Sequence, residues 1–195
     1  MMSKLVWKCG RCGKCCVNTI NEVGGIKFGM NLLPHEILLF PRQYVRPMFG
    51  IGDFLTDKGE PEFIVMYQNV SKPCIYYDDL SRSCRIYDDR PLVCRCFPLE
   101  PKIDGVLAHM ECLELRKALG DRSVVVSSEV EGLENELKAV REYDWYYYTV
   151  FVLNVMQVDL KKRWYYNFEE DKWYKLSDEV ALRMIEHYKR RGVKM

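Results

Sequence analysis

The chain has no long apolar run, no excess of either charge and only three histidines. No window of the sequence approaches the roughly 18 to 20 apolar residues that a transmembrane helix needs. The 29 lysines and arginines almost cancel the 28 aspartates and glutamates, which leaves a formal net charge of +1. This balance gives no long-range field that would attract nucleic acid or an anionic membrane. We therefore expect neither of them as a partner.

Sequence signatures of common enzyme classes are also absent. The chain has no glycine-rich dinucleotide or phosphate loop, no C-x3-C-x2-C triplet, and no set of serine, histidine and aspartate that indicates nucleophilic catalysis. The segment before the first cysteine lacks the apolar core of a signal peptide. We expect a soluble, cytoplasmic protein, and the motifs name neither a catalytic residue nor a reaction.

The length and the hydrophobic content predict a globular α+β fold. A chain of 195 residues with 48% hydrophobic side chains can bury a sizeable core, and no flexible linker divides it. The predicted organisation has two parts. Residues 1–120 form a cysteine-rich, metal-organised lobe of short strands and helices, and residues 121–195 form a helix–hairpin–helix region packed on it as one structural unit.

Nine cysteines are distributed very unevenly, and none follows residue 112. Structural disulfides are rare in a reducing cytosol, so such clustering indicates metal or redox chemistry. A disulfide framework is an alternative, because the composition leans toward that of hyperthermophiles, whose intracellular proteins sometimes carry disulfides. The odd number of cysteines weighs against it. The cysteines are Cys9, Cys12, Cys15, Cys16, Cys74, Cys84, Cys94, Cys96 and Cys112.

Short elements are predicted around these cysteines. Gly10 and Gly13 let the first cysteine block turn tightly. Residues 25–30 and 63–67 are predicted strands, and residues 34–40 form a short helix with proline in its first turn. Two β segments joined by a polar turn bring Cys74 and Cys84 together. Residues 90–98 run between prolines that fix their path, and residues 105–112 are extended.

The C-terminal part is predicted to form a helix, a hairpin and a second helix. Ser127 or Ser128 can cap a helix that begins at Glu129 and continues through apolar positions to residue 155. Residues 163–168 and 172–176 flank a charged turn, which is typical of a hairpin. Ser177 caps a last helix that ends near Gly192.

The spacing of the first cysteines favours an iron–sulfur cluster over zinc, although thiolates suit both. Cys9, Cys12 and Cys15 repeat a two-residue gap, as in the C-x2-C-x2-C run of bacterial ferredoxins, and Cys94 is the natural fourth ligand. Zinc sites more often contain two separated C-x2-C pairs. We predict a [4Fe-4S] cluster, with zinc as the alternative.

The remaining thiols and the neighbouring cations extend this prediction. Adjacent Cys15 and Cys16 cannot easily both face one ion, and eight ligands would suffice for two four-sulfur centres. Thiolates carry more negative charge than the metal neutralises, so cations should stabilise the site, and Arg90 and Arg95 are favoured for this role. Cys96 is expected to be a buried free thiol.

The combined motifs resemble the YkgJ-type cysteine-cluster family, a zinc- or iron-chelating domain. The motifs are Cys9-x2-Cys12-Gly-x-Cys15-Cys16, Cys74, Cys84-Arg-Ile-Tyr87 and Arg90-Pro91-x2-Cys94-Arg95-x-Phe97-Pro98. The resemblance covers residues 5–115, and related domains occur in flagellin lysine N-methylases. It implies a ligand set that omits Cys96 and consists of Cys9, Cys12, Cys15, Cys16, Cys74, Cys84, Cys94 and Cys112.

Three functions are compatible with such a site. In the first, a [4Fe-4S] cluster supports a redox or oxidoreductase-associated role with a redox or protein partner. The second, implied by the resemblance, is S-adenosylmethionine-dependent lysine methylation with a structural metal. The third is a zinc-binding structural module without catalysis. His109 is the histidine nearest a cysteine block, whereas His35 and His187 are expected on helices away from the site.

Overall fold

The computed structural model describes residues 5–102, 105–109, 111–119, 124–125, 130–147, 158–180 and 183. Within these ranges the chain forms both helices and β-sheets, which confirms the α+β class. No helix in the same ranges has the length and apolar character needed to cross a lipid bilayer.

The strands and helices are numbered in chain order. The strands are β1 (Leu5–Val6), β2 (Asn21–Val23), β3 (Ile26–Phe28), β4 (Met30–Leu32), β5 (Val45–Leu55), β6 (Pro61–Asn69), β7 (Tyr77–Asp78), β8 (Ser83–Cys84), β9 (Leu99–Lys102), β10 (Gly105–Ala108), β11 (Val124–Val125), β12 (Val130–Glu131), β13 (Arg163–Asn167) and β14 (Lys172–Lys175). The α-helices are α1 (Lys14–Val17), α2 (Leu92–Cys96), α3 (Leu113–Leu119) and α4 (Glu134–Tyr147). Short 3-10 helices cover Pro34–Leu39, Arg42–Tyr44 and Leu160–Lys162.

The chain divides into two compact units that interleave in sequence. The first, here called the cysteine unit, comprises residues 1–18 and 73–144, and the second, here called the sheet unit, comprises residues 19–72 and 145–193. All nine cysteines lie in the cysteine unit. The chain passes between the units after residues 18, 72 and 144, whereas the sequence suggested a single boundary near residue 120.

The sheet unit is built on a five-stranded antiparallel sheet with the order β14–β13–β5–β6–β4. Its centre is the long hairpin of β5 and β6, which pair from Val45 opposite Asn69 to Leu55 opposite Pro61. Burying apolar side chains of this size stabilises the unit by about 1.5–3 kcal/mol each. The main core cluster consists of Ile26, Phe28, Met48, Phe49, Met66 and Leu176, and a second, aromatic cluster consists of Trp164, Tyr166 and Trp173.

A buried amide joins three segments of the sheet unit. The side chain of Gln68 is fully buried, accepts a 2.7 Å hydrogen bond from the Gly29 backbone N–H and donates a 2.7 Å bond to the Pro47 carbonyl. A Cβ atom at position 29 would lie 2.2 Å from the Asn69 carbonyl oxygen, so only glycine fits this close approach. The segment between β3 and β4 is therefore fixed against β6.

The cysteine unit contains shorter elements. Strand β1 pairs in parallel with β12, strands β9, β10 and β11 form a three-stranded sheet, and β7 and β8 form a small hairpin. Two-stranded ribbons are marginally stable alone, so packing must support them. The buried side chains that supply this packing include Trp7, Leu92, Cys96, Leu99, Ala108, Leu115, Leu119, Leu133 and Leu137.

Several predicted elements are confirmed. The strand expected at 63–67 lies within β6, the hairpin at 163–176 is β13 and β14, and residues 34–39 are helical, in the 3-10 form. The strand expected at 25–30 is divided into β3 and β4. Helical backbone begins at Asp178, where the Val180 N–H donates to the Ser177 hydroxyl oxygen at 3.3 Å. Most of this last helix falls outside the described residues and stays a prediction.

The start predicted for the long helix is wrong. Residues Val130–Glu131 form strand β12, and α4 begins five residues later than expected, at Glu134. Gly132 has a φ of 85°, and a Cβ atom there would lie 2.4 Å from the Trp7 carbonyl oxygen. The left-handed glycine turns the chain between the strand and the helix. The predicted continuation beyond Tyr147 to residue 155 lies outside the described residues.

The segment around Cys94 and the last part of the 105–112 segment are not extended. Residues Leu92–Cys96 form helix α2, and Pro91 precedes it at the N-cap position. Proline is well suited to the start of a helix, because the missing N–H has no intrahelical partner there. Strand β10 ends at Ala108, and Cys112 immediately precedes α3.

The protonation of the Tyr166 hydroxyl should make the free energy of unfolding depend on pH in the alkaline range. Burial, together with a hydrogen bond donated to Asp171, raises the pKa of Tyr166 to about 12. The pKa of an unfolded tyrosine is about 10, so between these values the folded chain keeps a proton that the unfolded chain loses. The free energy of unfolding therefore falls as the pH rises through this window. Tyr166→Phe should make that fall shallower in urea titrations.

Asp171→Asn supplies a graded control for this measurement. The backbone of residue 171 has a φ of 55°, a region that asparagine tolerates well, so the substitution removes the carboxylate charge without new strain. Because burial is the larger cause of the shift, its pH slope should lie between those of the wild type and Tyr166→Phe. Parallel pH profiles for the wild type and Tyr166→Phe would show that the Tyr166 proton is not linked to folding.

Candidate metal centre

The first cysteine block ends in a short helix that begins at a left-handed glycine. Gly13 has a φ of 72°, and its carbonyl accepts hydrogen bonds from the backbone N–H groups of Cys16 (2.9 Å) and Val17 (3.0 Å). A Cβ atom at position 13 would lie 2.3 Å from the Tyr77 hydroxyl oxygen. Glycine therefore lets Tyr77 pack directly on the loop that carries Cys12.

The hairpin of β7 and β8 is attached to this helix through the backbone. The Cys74 N–H donates a 2.7 Å hydrogen bond to the Cys16 carbonyl, and the Tyr77 N–H donates a 2.9 Å bond to the Cys74 carbonyl. Tyr77 pairs with Cys84 across the hairpin. The two cysteines expected to meet through a polar turn, Cys74 and Cys84, are thus both placed beside Cys16.

Helix α2 carries two cysteines with different surroundings. The N–H groups of Cys94 and Arg95 donate to the Pro91 carbonyl at 2.9 and 3.0 Å, which closes the first turn. Cys94 is half-buried, and its thiol interacts electrostatically with the thiols of Cys15 and Cys74, among others. Cys96 is only 2% exposed, which agrees with the buried position expected of it.

Cys112 is placed next to the first cysteine block. Its N–H donates a 2.9 Å hydrogen bond to the His109 carbonyl just before α3. In the first turn of that helix, the Glu114 side chain lies against Gly10, where an added Cβ atom would be 2.8 Å from the Glu114 Cγ. The thiol of Cys9 interacts electrostatically with that of Cys112. Four separate segments therefore contribute thiols to one region of the cysteine unit.

Burial is the largest cause of the raised pKa of three of these thiols. It raises the pKa of Cys9 and of Cys74, and it raises the pKa of Cys94 well above that of an ordinary thiol. Neighbouring thiols raise the same pKa values further, because several negative charges would share a small region. Buried thiolates of this kind need a cation to replace their protons, which a bound metal ion supplies.

Cys15 and Cys16 form a hydrogen-bonded pair with sulfur atoms 3.9 Å apart. The hydrogen bond from the Cys16 thiol lowers the pKa of Cys15 to about 7, and it raises the pKa of Cys16 above the ordinary thiol value. Neighbouring positions on a helix point in directions about 100° apart, yet these two sulfurs remain close. The Cys16 thiol therefore favours the thiolate form of Cys15.

The two arginines predicted to balance the thiolate charge differ in their contacts. The Arg90 Nε donates to the Tyr87 carbonyl at 2.8 Å, and its guanidinium lies 3.7 Å from the centroid of the Tyr87 ring. The charge of Arg90 acts on the thiols of Cys9, Cys15 and Cys94. Arg95 instead lies 3.7 Å from the carboxylate of Glu142 on α4. Arg90 is the better placed of the two.

The contact between Tyr77 and Gly13 was not predicted from the sequence. Tyr77 covers Gly13, and only its aromatic character within the Cys74 segment could have pointed to it. His109 Nε2 lies 3.4 Å from the Glu100 carboxylate, and its ring stacks on Phe97 at 5.4 Å. His109 is thus positioned by a carboxylate, as expected of a packed histidine. His35 lies on a 3-10 helix of the sheet unit, and His187 is outside the described residues.

The donor set fits zinc or iron. None of the nine cysteines, all of which are described, forms a disulfide. Among the described residues, no three cysteine, histidine, aspartate or glutamate side chains already surround a common point closely enough to hold an ion. One torsion, χ1, lies between the backbone and the sulfur of each cysteine, so a change of rotamer moves the sulfur. The buried Trp7 Nε1 and Arg95 Nε find no hydrogen-bond acceptor in the described part of the chain, and such N–H groups suit thiolates.

Helix α2 offers a matched pair of substitutions. Cys94→Ala should abolish or sharply reduce bound metal, because it removes a thiol that interacts with three others. Cys96→Ala should keep the full metal content and lower the free energy of unfolding by about 1 kcal/mol. Elemental analysis of both proteins, purified in parallel without oxygen, measures the difference. Equal metal loss in the two variants would remove Cys94 from the ligand set.

Comparison with known proteins agrees with the chemistry of this unit. A search of curated proteins and a search of solved structures each found no match. The family model CxxCxxCC, described as a putative zinc- or iron-chelating domain, matches residues 8–116. This range contains all nine cysteines and more than half of the chain. The chain therefore belongs to the CxxCxxCC family of zinc- or iron-chelating domains, and it is a metal-binding cysteine-cluster protein.

Proposed function

We propose that the cysteine unit holds a [4Fe-4S] cluster and that the protein has a redox or oxidoreductase-associated role. The observation that carries this proposal is the C-x2-C-x2-C loop, whose third thiol, Cys15, interacts with the Cys94 thiol of helix α2. A three-cysteine loop completed by a distant fourth cysteine is the arrangement of bacterial ferredoxins. Cys9, Cys12, Cys15 and Cys94 would hold the cluster.

The surroundings of these residues suit electron exchange. An iron–sulfur cluster, when bound, supplies reversible one-electron transfer. Cys9, Cys12 and Cys15 are exposed, so a protein partner can approach this edge of the site, whereas Cys94 is half-buried. Arg90 places a fixed positive charge near three of the four thiols. A fixed cation of this kind stabilises the additional negative charge that a reduced site carries.

The first test is the composition of protein purified under anaerobic conditions. We expect a brown protein with broad absorption near roughly 400 nm and about four iron and four acid-labile sulfide per chain. The absorption should bleach with dithionite and return on oxidation. A colourless protein that contains zinc, without iron or sulfide, would exclude the redox role and leave a structural metal-binding module.

Removal of the metal should loosen the cysteine unit selectively. Its short strands and helices converge on the cysteines, so metal binding and local folding are coupled. After chelation we expect faster hydrogen exchange in residues 8–18 and 74–96. The β5–β6 hairpin serves as an internal control, because it belongs to the sheet unit and has its own apolar core. Unchanged exchange in both segments would show that the cysteine unit folds without metal.

A further inference from the structure

The first cysteine loop, residues 7–18, carries a local positive charge on a chain that is almost neutral overall. The loop contains three cations and no aspartate or glutamate, so it supplies +3 of a total that comes to only +1. The rest of the chain is therefore slightly acidic. The cations recur at every third position, and each directly precedes one of the exposed residues Cys9, Cys12 and Cys15. They are Lys8, Arg11 and Lys14.

None of these three charges is neutralised within the described part of the chain. All three side chains are exposed, and none forms an ion pair with a described residue. The Glu114 side chain contacts the loop at Gly10, but its carboxylate is already paired with the Lys117 ammonium at 2.8 Å. The hairpin of β7 and β8, which contacts the loop through Tyr77, adds no net charge, because residues 77–85 contain two aspartates and two arginines. The positive charge of the loop is therefore available to a partner.

The charge of the thiols does not account for these cations. Arg90, which lies outside the loop, is the cation whose charge has the largest effect on the thiols of Cys9, Cys15 and Cys94. The cations of the loop act on these thiols less, although they are their neighbours in sequence. Balancing the thiolate charge is therefore mainly the task of Arg90.

The loop presents its cations from a fixed backbone. The Arg11 N–H donates a hydrogen bond to the Cys9 thiol, and Tyr77 packs directly on Gly13. The backbone of Arg11 has a φ of 48°, which is uncommon for a residue other than glycine, asparagine or aspartate. The backbone alone would favour glycine at this position, so the arginine side chain needs a reason of its own. A loop that is already ordered also loses less entropy when a partner docks.

We propose that the first cysteine loop docks an acidic segment of a partner protein, whose carboxylates are recognised by Lys8, Arg11 and Lys14. Small, weak interfaces are typical of proteins that exchange electrons, and opposite charges guide such partners together. Three cations on one loop suit this kind of encounter better than nucleic acid, whose binding draws on many more phosphate contacts. That the partner is a redox protein rests on the proposed function, whereas its acidic character rests on the loop alone.

Binding of a fluorescently labelled deca-glutamate peptide to the full chain tests this recognition. At an ionic strength of about 10 mM we expect saturable binding by fluorescence anisotropy. It should disappear toward about 1 M, because the Debye length falls from about 30 Å to about 3 Å. The double variant Lys8→Glu/Lys14→Glu should weaken the binding by about tenfold or more, since it replaces two attractions by repulsions.

The double variant Lys58→Glu/Lys161→Glu is the matched control. It changes the net charge by the same amount, at exposed positions of the sheet unit, and should weaken the binding by less than about threefold. Equal weakening in the two double variants would overturn the proposal. Tighter binding of decathymidylate than of deca-glutamate would also overturn it, in favour of a nucleic-acid surface.

A carbodiimide cross-link locates the contact in the unmodified chain, so it does not depend on the folding of any variant. The reagent takes up water as a carboxylate of the peptide and a contacting lysine amine join in an amide bond. Peptide mapping should find this bond at Lys8 and Lys14. Cross-links spread over lysines elsewhere in the chain would refute the assignment.

The same experiments separate this proposal from the proposed function. Zinc in place of iron would remove the redox role, yet binding of deca-glutamate at Lys8 and Lys14 would still establish the acidic docking surface. An intact iron cluster in a chain that binds no deca-glutamate would overturn the docking surface and leave the redox role standing.

Discussion

The backbone hydrogen bond between Cys74 and Cys16 fixes the relation between two cysteine motifs that are far apart in sequence. It is 2.7 Å long and lies where the hairpin of β7 and β8 meets the end of the first cysteine loop. The contact is made by backbone groups, so it joins the two motifs whichever of their thiols bind metal. A bound metal would add a second link between the same segments, which is why metal binding and local folding are coupled.

Charge is the second constraint on the site. Several thiols with burial-raised pKa values share a small region, and each additional thiolate makes the next one more costly. Arg90 offsets part of this cost, and its guanidinium is fixed by the Tyr87 carbonyl and the Tyr87 ring. A fixed cation loses little entropy when the site fills, whereas a mobile lysine would have to be ordered first.

Local patterns in the sequence predict the elements whose causes are local. Strand β6, the hairpin of β13 and β14, and the cap at Ser177 follow from alternation, turn residues and capping chemistry. Strand β12 could not be found in this way, because Val130 pairs with Leu5 across most of the chain and only that partner makes it a strand. The interleaved units have the same origin, since only tertiary packing shows that residues 19–72 and 145–193 belong together.

The candidate site likewise has some features that the sequence predicts and others that only the fold determines. The cysteine motifs and the resemblance implied a metal-chelating unit, and the family match confirms it. Spacing cannot tell which arginine faces the thiols, because Arg90 and Arg95 lie on opposite sides of Cys94 in sequence and both are plausible. The choice depends on Tyr87 and on Glu142, and Glu142 is about fifty residues away from the arginines in sequence. Side-chain partners at such separations are a property of the fold.

The chain leaves the cysteine unit after residue 18 and returns to it after residue 72, and this crossing affects which sequence changes the chain tolerates in evolution. On one side of the crossing the Cys74 N–H bonds to the Cys16 carbonyl, and on the other the Thr19 hydroxyl donates to the Ser71 carbonyl at 2.6 Å. These two hydrogen bonds hold the ends of residues 19–72 side by side, as the ends of an inserted domain are held. Lengthening a loop within such an insert costs little additional loop-closure entropy. Loops of this segment can therefore lengthen in evolution while the thiols on either side keep their register, although its strand β5 must still pair with β13.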